Sequence, residues 1–152
     1  MNNKNKILPL VIGLSICLLT FKACNLAPGS YPNAERYEIE TSEEALIEAV
    51  HAVKSSNSEL TIPNNIPLID GRKDSLDHWY HFYIYNRERN QVMKAWVRGG
   101  KSKSKIAFVG VYDSSFEKRW KYINQDFDRE SNKEYKKLFE EKILNPVKKI
   151  IE

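Results

Sequence analysis

Three segments in the middle of the chain are rich in aromatic and β-branched residues and are separated by polar turns. They cover residues 78–85, 91–98 and 105–112, with turns over 86–90 and 99–104. Aromatic and β-branched side chains favour strands, and loops of about five or six residues between such segments favour antiparallel pairing. The pattern therefore predicts a three-stranded antiparallel meander.

A helix is predicted on the N-terminal side of this meander, after a short strand at residues 36–40. Thr41 and Glu44 stand at the spacing of a capping box. Apolar residues then recur at helical spacing, namely Ala45, Leu46, Ala49, Val50 and Val53. These signals predict a helix over residues 42–54. Residues 58–77 are expected to form a loop, with at most short strands at 60–62 and 67–69, because they contain several Pro, Asn and Gly residues.

A second helix is predicted on the C-terminal side. Ser131 and Glu134 again have capping-box spacing, and apolar residues follow at helical spacing as far as Asn145 and Pro146. Between the meander and this helix, Trp120 and Ile123 are expected to enter the core on a short helix. The order β-α-β-β-β-α predicts one α+β domain over residues 34–152, with helices packed on a curved sheet.

The first central strand is aromatic on both of its faces. Side chains alternate along a strand, so one face carries Trp79, His81, Tyr83 and Tyr85, and the other carries Tyr80, Phe82 and Ile84. Tyr and Trp are favoured at interfaces because they bury a large area and keep a polar end. Either both faces are covered by helices, or the face with Trp79 and His81 binds a protein or glycan partner.

The N-terminus has the three parts of a secretory signal. Lys4 and Lys6 precede a mostly apolar run over residues 7–21, and a small residue, Ala23, follows it. The run is short for a permanent span, which needs roughly 20 apolar residues. Residues 1–23 are therefore predicted to be a signal peptide. The alternatives are an uncleaved anchor and a core helix.

The residues before Cys24 resemble the lipobox of bacterial lipoproteins, in which a small residue precedes a lipid-modified cysteine. Ala23 fits this pattern, whereas Phe21 and Lys22 depart from it because the usual occupants are small and aliphatic. The resemblance implies cleavage before Cys24, a membrane anchor through lipid on Cys24, and a flexible tether over residues 24–33.

Two neighbouring residues bear on the details of this anchor. Cys17 is a rival lipidation site, but the bulky Ile16 precedes it and cleavage there would cut within the apolar run. Asn25 is not the Asp that marks inner-membrane retention in well-studied lipoproteins. The resemblance therefore implies an outer-membrane lipoprotein that faces the periplasm.

Removal of the signal changes the charge and the cysteine content. The chain has 24 basic and 20 acidic residues, but three of the basic ones lie in residues 1–23, which leaves 21 against 20. A mature charge near +1 argues against nucleic acid as a partner. Both cysteines lie at or before Cys24, so the domain has no disulfide and no thiol for catalysis.

The strongest candidates for chemistry lie between Asp70 and His81. His78 and His81, near Asp74 and Asp77, suggest a metal site, but residues three apart on a strand point to opposite faces. Neither a metal site nor a cofactor is therefore expected. Acid–base catalysis by this segment stays an alternative, since paired carboxylates have no sequence signature.

Two other motifs are read as chance matches. Residues 99–104 have the letters of a phosphate-binding loop, but the upstream Gly and the following helix of that motif are missing, which indicates a basic hairpin turn. Ser115 and Lys118 match the Ser-x-x-Lys pattern of some hydrolases outside any typical context.

Two function classes follow. The first is a lipid-anchored, non-catalytic binding protein of the cell envelope, such as an accessory subunit or a toxin-neutralising protein. The second is a small periplasmic enzyme that acts on envelope material through the segment 70–81.

Overall fold

Five strands form one antiparallel sheet in the computed structural model, which describes residues 31–113 and 119–152. The chain from Asn33 to Glu152 forms one compact unit, to which the following description applies. The strands are β1 (Glu35–Ile39), β2 (Tyr80–Asn86), β3 (Gln91–Gly99), β4 (Ser104–Asp113) and β5 (Trp120–Tyr122).

The central strands form the predicted meander, with β3 between β2 and β4. The other edge of β4 is shared by two short strands. β1 pairs with Ser104–Phe108, and β5 pairs with Gly110–Tyr112. The pairing of β4 with β3 is irregular at Val109, because Lys94 lies opposite Gly110 while Ala95 lies opposite Phe108. Val109 is therefore the extra residue of a β-bulge.

The helices are α1 (Glu43–Ser56), α2 (Arg129–Phe139) and α3 (Asn145–Ile151), with a π-helical turn, Glu140–Leu144, joining the last two. Their buried side chains form one core with the side chains of a single face of the sheet. Residues from this face include Phe82, Ile84, Met93, Val97, Ile106 and Phe108. The predicted α+β class, with helices against an antiparallel sheet, is confirmed.

The start of α1 differs from the prediction by one residue. The N-cap is Ser42, whose hydroxyl accepts a hydrogen bond from the Ala45 amide at 3.1 Å, so Thr41 is not the cap. A contact with the β3–β4 hairpin explains the shift, because the Glu43 amide donates to the Gly100 carbonyl at 2.9 Å. In addition, the Thr41 carbonyl accepts a hydrogen bond from the Ser104 hydroxyl at 2.8 Å.

The C-terminal helix begins earlier than predicted, at Arg129. Asp128 is its N-cap and accepts hydrogen bonds from the amides of Glu130 and Ser131 at 3.0 and 2.9 Å. Ser131 is therefore a helical residue, and its predicted role as a cap is wrong. Asp128 has taken the Ser131 amide, from which the Glu134 side chain would accept in a capping box.

The helical path also continues past Asn145 and Pro146, where an end was predicted. Proline lacks the amide hydrogen that an α-helix needs and crowds the preceding turn. The wider turn Glu140–Leu144 directly precedes Pro146, and the Asn145 amide donates to the Glu140 carbonyl. This π-helical turn allows the helix to continue through Pro146.

Two further expectations need correction. Trp120 lies on β5 and not on a short helix, although Ile123 is fully buried in the core as expected. The possible strands at 60–62 and 67–69 do not form, and Ser58–Leu60 is a 3₁₀ turn. Within the described parts of the chain, no helix is both long and apolar enough to cross a membrane.

Candidate binding face

The side of the sheet opposite the helical core is called the second face here. Residues paired directly across an antiparallel ladder point to the same side. His81, Tyr83 and Tyr85 of β2 pair with Trp96, Lys94 and Val92 of β3. Lys94 pairs in turn with Gly110 of β4, and Val92 pairs with Tyr112. On the other side of β4, Gly110 pairs with Tyr122 of β5, and Tyr112 pairs with Trp120. None of these residues belongs to the helical core.

Aromatic rings contact one another across this second face. The ring of Trp120 lies 6.2 Å from that of Tyr83 and 5.7 Å from that of Tyr112, measured between centroids. All three side chains are partly exposed, and Tyr122 beside them is 40% exposed. Each ring buries apolar area yet keeps a polar atom for water or a partner, so together they form an amphipathic surface.

Lys94 lies in the middle of these rings. Its neighbours across the ladder are Tyr83 on one side and Gly110 on the other. The side chain is half-buried. Burial and the positive charge of Lys73 lower the pKa of Lys94, and the nearby carboxylate of Asp77 opposes this effect. The second face thus holds a cation whose charge is only partly solvated.

The bulge in β4 explains why Gly110 stands beside Lys94. A Cβ atom at Gly110 would overlap the carbonyl oxygen of Lys121 on β5. The close approach of these strands therefore requires glycine. The backbone of Lys121 and Tyr122 occupies the place that a side chain at position 110 would take.

His81 also belongs to the second face, but it is 3% exposed and is not available for contact. Its Nε2 atom lies 3.3 Å from the Asp77 carboxylate. Burial and the charge of Lys94 lower the pKa of His81, while Asp77 opposes them. Burial alone would raise the pKa of Asp77. Hydrogen bonds from the Trp79 and Lys73 amides, together with His81, lower it instead.

The segment around Asp70 covers part of the outer edge of β2. Gly71 and His81 exchange two backbone hydrogen bonds of 2.8 and 2.9 Å. One carboxylate oxygen of Asp70 accepts from the Tyr83 amide at 3.0 Å, and the other is paired with Lys54 of α1. These contacts occupy edge groups that would otherwise be open to another strand.

This geometry accounts for the acidic residues of the alternative enzyme hypothesis. Asp74 accepts a hydrogen bond from the Leu76 amide at 2.8 Å, as turn-forming aspartates do. Asp70 and Asp77 hold the segment to β2 and to His81. Their contacts support a role in shaping a loop.

Two concave regions of the described surface lie elsewhere. A cavity of about 10 Å³ is lined by residues that include Tyr85, Asn86 and Lys142. An open groove of about 380 Å³ lies between Glu38–Glu40 and the end of α3. Neither includes a residue from Asp70 to His81, so neither supports chemistry by that segment.

The predicted site residues fall into three groups. Tyr83 and Tyr85 lie partly exposed on the second face, and His81 lies buried on it. Trp79 precedes β2, but its ring lies 5.3 Å from the Arg98 guanidinium on the same side. His78 is exposed, and its ring packs edge-on against Trp79. Among the described residues, no three or more His, Cys, Asp or Glu side chains are placed so that they could bind a metal ion.

Three contributors to the second face were missed from the sequence. Tyr112 could not have been found by alternation, which groups it with Ile106 and Phe108 of the core; the bulge at Val109 turns it to the second face. Lys94 and Trp120 likewise depend on the pairing of β3 with β4 and of β4 with β5. Cys24, the tether and the Ser115–Lys118 motif lie outside the described residues, apart from residues 31–33 of the tether.

Comparisons with protein-family models, with curated protein sequences and with solved structures found no match for this chain.

Proposed function

We propose that this chain is a lipid-anchored, non-catalytic binding protein of the cell envelope and that its second face holds a protein partner. One observation carries the proposal. The described helices pack on one side of the sheet, while on the other side the Trp120 ring contacts those of Tyr83 and Tyr112, and all three are partly exposed. Clusters of Tyr and Trp are typical of the centres of protein interfaces.

The shape of this surface supports a protein over a small molecule. Small ligands bind in concave sites that bury most of their area, whereas the rings described here lie on the face of a sheet. The two concave regions lie outside the aromatic cluster of Tyr83, Tyr112 and Trp120. A partly exposed aromatic cluster on the face of a sheet suits another folded protein, in the manner of an accessory subunit or a toxin-neutralising protein.

The anchor is proposed at Cys24 on the strength of the residues around it. The ten residues 24–33 would separate the lipid from β1, which begins at Glu35. A flexible tether of this length has a root-mean-square span of roughly 17 Å. That span would hold the domain close to the outer membrane, on its periplasmic side, and leave it free to turn toward a partner.

A photoreactive phenylalanine analogue in place of Tyr85 tests the binding face in the full-length protein in cells. The matched control carries the same analogue in place of Glu48, which is exposed on α1. We expect a discrete protein adduct from position 85, weaker in the presence of Trp120→Ala, and none from position 48. Equal adducts from both positions, or adducts unaffected by Trp120→Ala, would contradict this use of the second face.

Labelled fatty acid tests the anchor independently. We expect incorporation into the wild-type protein and into Cys17→Ser, and loss of both label and processing in Cys24→Ser. Label that persists in Cys24→Ser and disappears in Cys17→Ser would place the lipid on the other cysteine.

A further inference from the structure

Two buried polar side chains lie directly opposite each other at the end of the hairpin between β2 and β3. Asn86 is the last residue of β2 and pairs with Gln91, the first residue of β3. Asn86 is 8% exposed and Gln91 is 7% exposed. The donor Nδ2 of Asn86 and the acceptor Oε1 of Gln91 have no hydrogen-bond partner among the described residues. Because buried polar atoms are nearly always hydrogen-bonded, this pair of atoms calls for a partner.

The other hydrogen bonds of the two amide groups fix their orientation. Gln91 Nε2 donates to the Asp113 carboxylate at 2.7 Å and lies 3.0 Å from the Tyr135 hydroxyl. An ionised carboxylate only accepts, so the nitrogen of the Gln91 amide, and not its oxygen, faces Asp113. Asn86 Oδ1 accepts from the Arg89 amide at 3.4 Å, which leaves Nδ2 for another partner. The two amides therefore offer one donor and one acceptor.

The small cavity of about 10 Å³ lies at this end of the hairpin, and Asn86 is part of its wall. Its volume is close to the roughly 10–15 Å³ that one water molecule needs. The charged side chains on the wall form two ion pairs, Glu59 with Arg87 at 3.3 Å and Glu88 with Lys142 at 3.9 Å. The wall thus has the size for one water and no excess of charge that would attract an ion.

We propose that this cavity is a binding site for one water molecule, which accepts a hydrogen bond from Asn86 Nδ2 and donates one to Gln91 Oε1. Residues directly opposite on an antiparallel ladder have Cβ atoms about 4.5–5.5 Å apart, so one molecule reaches both side chains. The two atoms also select the ligand. The amide hydrogens of Asn86 repel a cation and the carbonyl oxygen of Gln91 repels an anion, whereas water both donates and accepts.

The bound water completes a chain of hydrogen bonds that runs from the hairpin into the rest of the domain. From Gln91 the chain continues to Tyr135 on α2 and to Asp113 at the end of β4. The water therefore links the end of β2 to β3, β4 and α2 through side chains alone. This site goes beyond the proposed function and does not depend on it.

A crystal structure of the full-length protein, at a resolution that shows ordered water, tests the site directly. We expect a density peak about 2.7–3.2 Å from both Asn86 Nδ2 and Gln91 Oε1. Asn86→Leu keeps the approximate shape without the donor and should lose the peak. Glu88→Gln is the matched control, since Glu88 lies on the same wall but is exposed, and it should keep the peak. A direct Asn86–Gln91 hydrogen bond, no peak in the wild type, or a peak that bromide replaces would overturn the proposal.

Nuclear Overhauser effects between water and the Asn86 side-chain amide hydrogens give a second measurement on the wild-type protein, so the test stands even if Asn86→Leu does not fold. We expect a cross-peak with the sign of a long-lived water at Asn86 and none of this kind at the exposed amide of Asn65. Tyr85→Phe removes a hydroxyl from the cavity wall and should leave the cross-peak unchanged. Absence of the cross-peak, or its loss in Tyr85→Phe, would overturn the bound water.

Discussion

His81 is a buried titratable group whose charge state bears on folding. It is 3% exposed, and the charged groups that face it are Asp77, Lys73 and Lys94. Two of these three are cations, and burial removes water from the ring. The folded protein therefore favours the neutral imidazole and lowers the pKa of His81.

The stability of the protein should consequently fall in mild acid. An unfolded histidine has a pKa of about 6.5, so the unfolded chain takes up a proton at a higher pH than the folded one. The contribution of His81 is complete above that value and is lost as the pH falls toward the lower folded pKa. Its slope is at most about 1.4 kcal/mol per pH unit.

Urea unfolding at intervals from pH 8 to pH 5 measures this dependence. We expect a shallower pH dependence in His81→Gln than in the wild type, with His78→Gln as a control at an exposed position. The comparison uses slopes, so a constant loss of stability from the substitution itself does not matter. Parallel curves for the wild type and His81→Gln would show that another group is responsible.

Among the elements, α1 shows how tertiary contacts choose between two adjacent capping residues. Thr41 and Ser42 are both favourable N-cap residues. The structure selects Ser42, because the Glu43 amide is already bound to Gly100 and the Thr41 carbonyl to Ser104. The hairpin between β3 and β4 therefore decides where the helix begins.

Alanine substitutions should separate the two candidates clearly. Ser42→Ala removes the oxygen that accepts from the Ala45 amide and should cost about 1 kcal/mol of unfolding free energy. Thr41→Ala, one residue away, should change it by less than about 0.5 kcal/mol. Chemical denaturation of both variants at pH 7 measures the difference. A larger loss in Thr41→Ala would restore the capping box that the sequence suggests.

The elements that could be predicted depend on residues close together in the sequence, and the elements that could not depend on pairing between distant segments. The meander and α1 follow from local alternation and helical spacing, which depend on a few neighbouring residues. β5 has three residues and exists only because β4 continues past the end of β1. Val109 bulges only in relation to β3. Such features depend on pairing between distant segments, and no local pattern specifies them.

For the whole molecule, the alternation predicted along β2 is confirmed, but the burial of its residues was not predicted. Alternation along β2 separates Phe82 and Ile84 from Tyr83 and Tyr85, as the structure has them. The burial of His81 depends on the loop that brings Asp77 back to β2.

The two faces should respond differently to truncation within the same strand. Phe82 is fully buried in the helical core, so Phe82→Ala should lower the unfolding free energy by about 3–5 kcal/mol. Tyr85 lies partly exposed on the second face, and its hydroxyl bonds to Asn90 at 2.7 Å. Tyr85→Ala should therefore cost less than about 1 kcal/mol.

Urea unfolding of residues 34–152 tests this difference. Both cysteines are absent from this segment, so reductant should leave the transition of the parent protein unchanged. Because both substitutions remove an aromatic ring from β2, each serves as the control for the other's effect on strand propensity. Equal and large losses would mean that the second face is as essential to folding as the helical core. That result would contradict the proposal that the second face is mainly a binding surface for a protein partner.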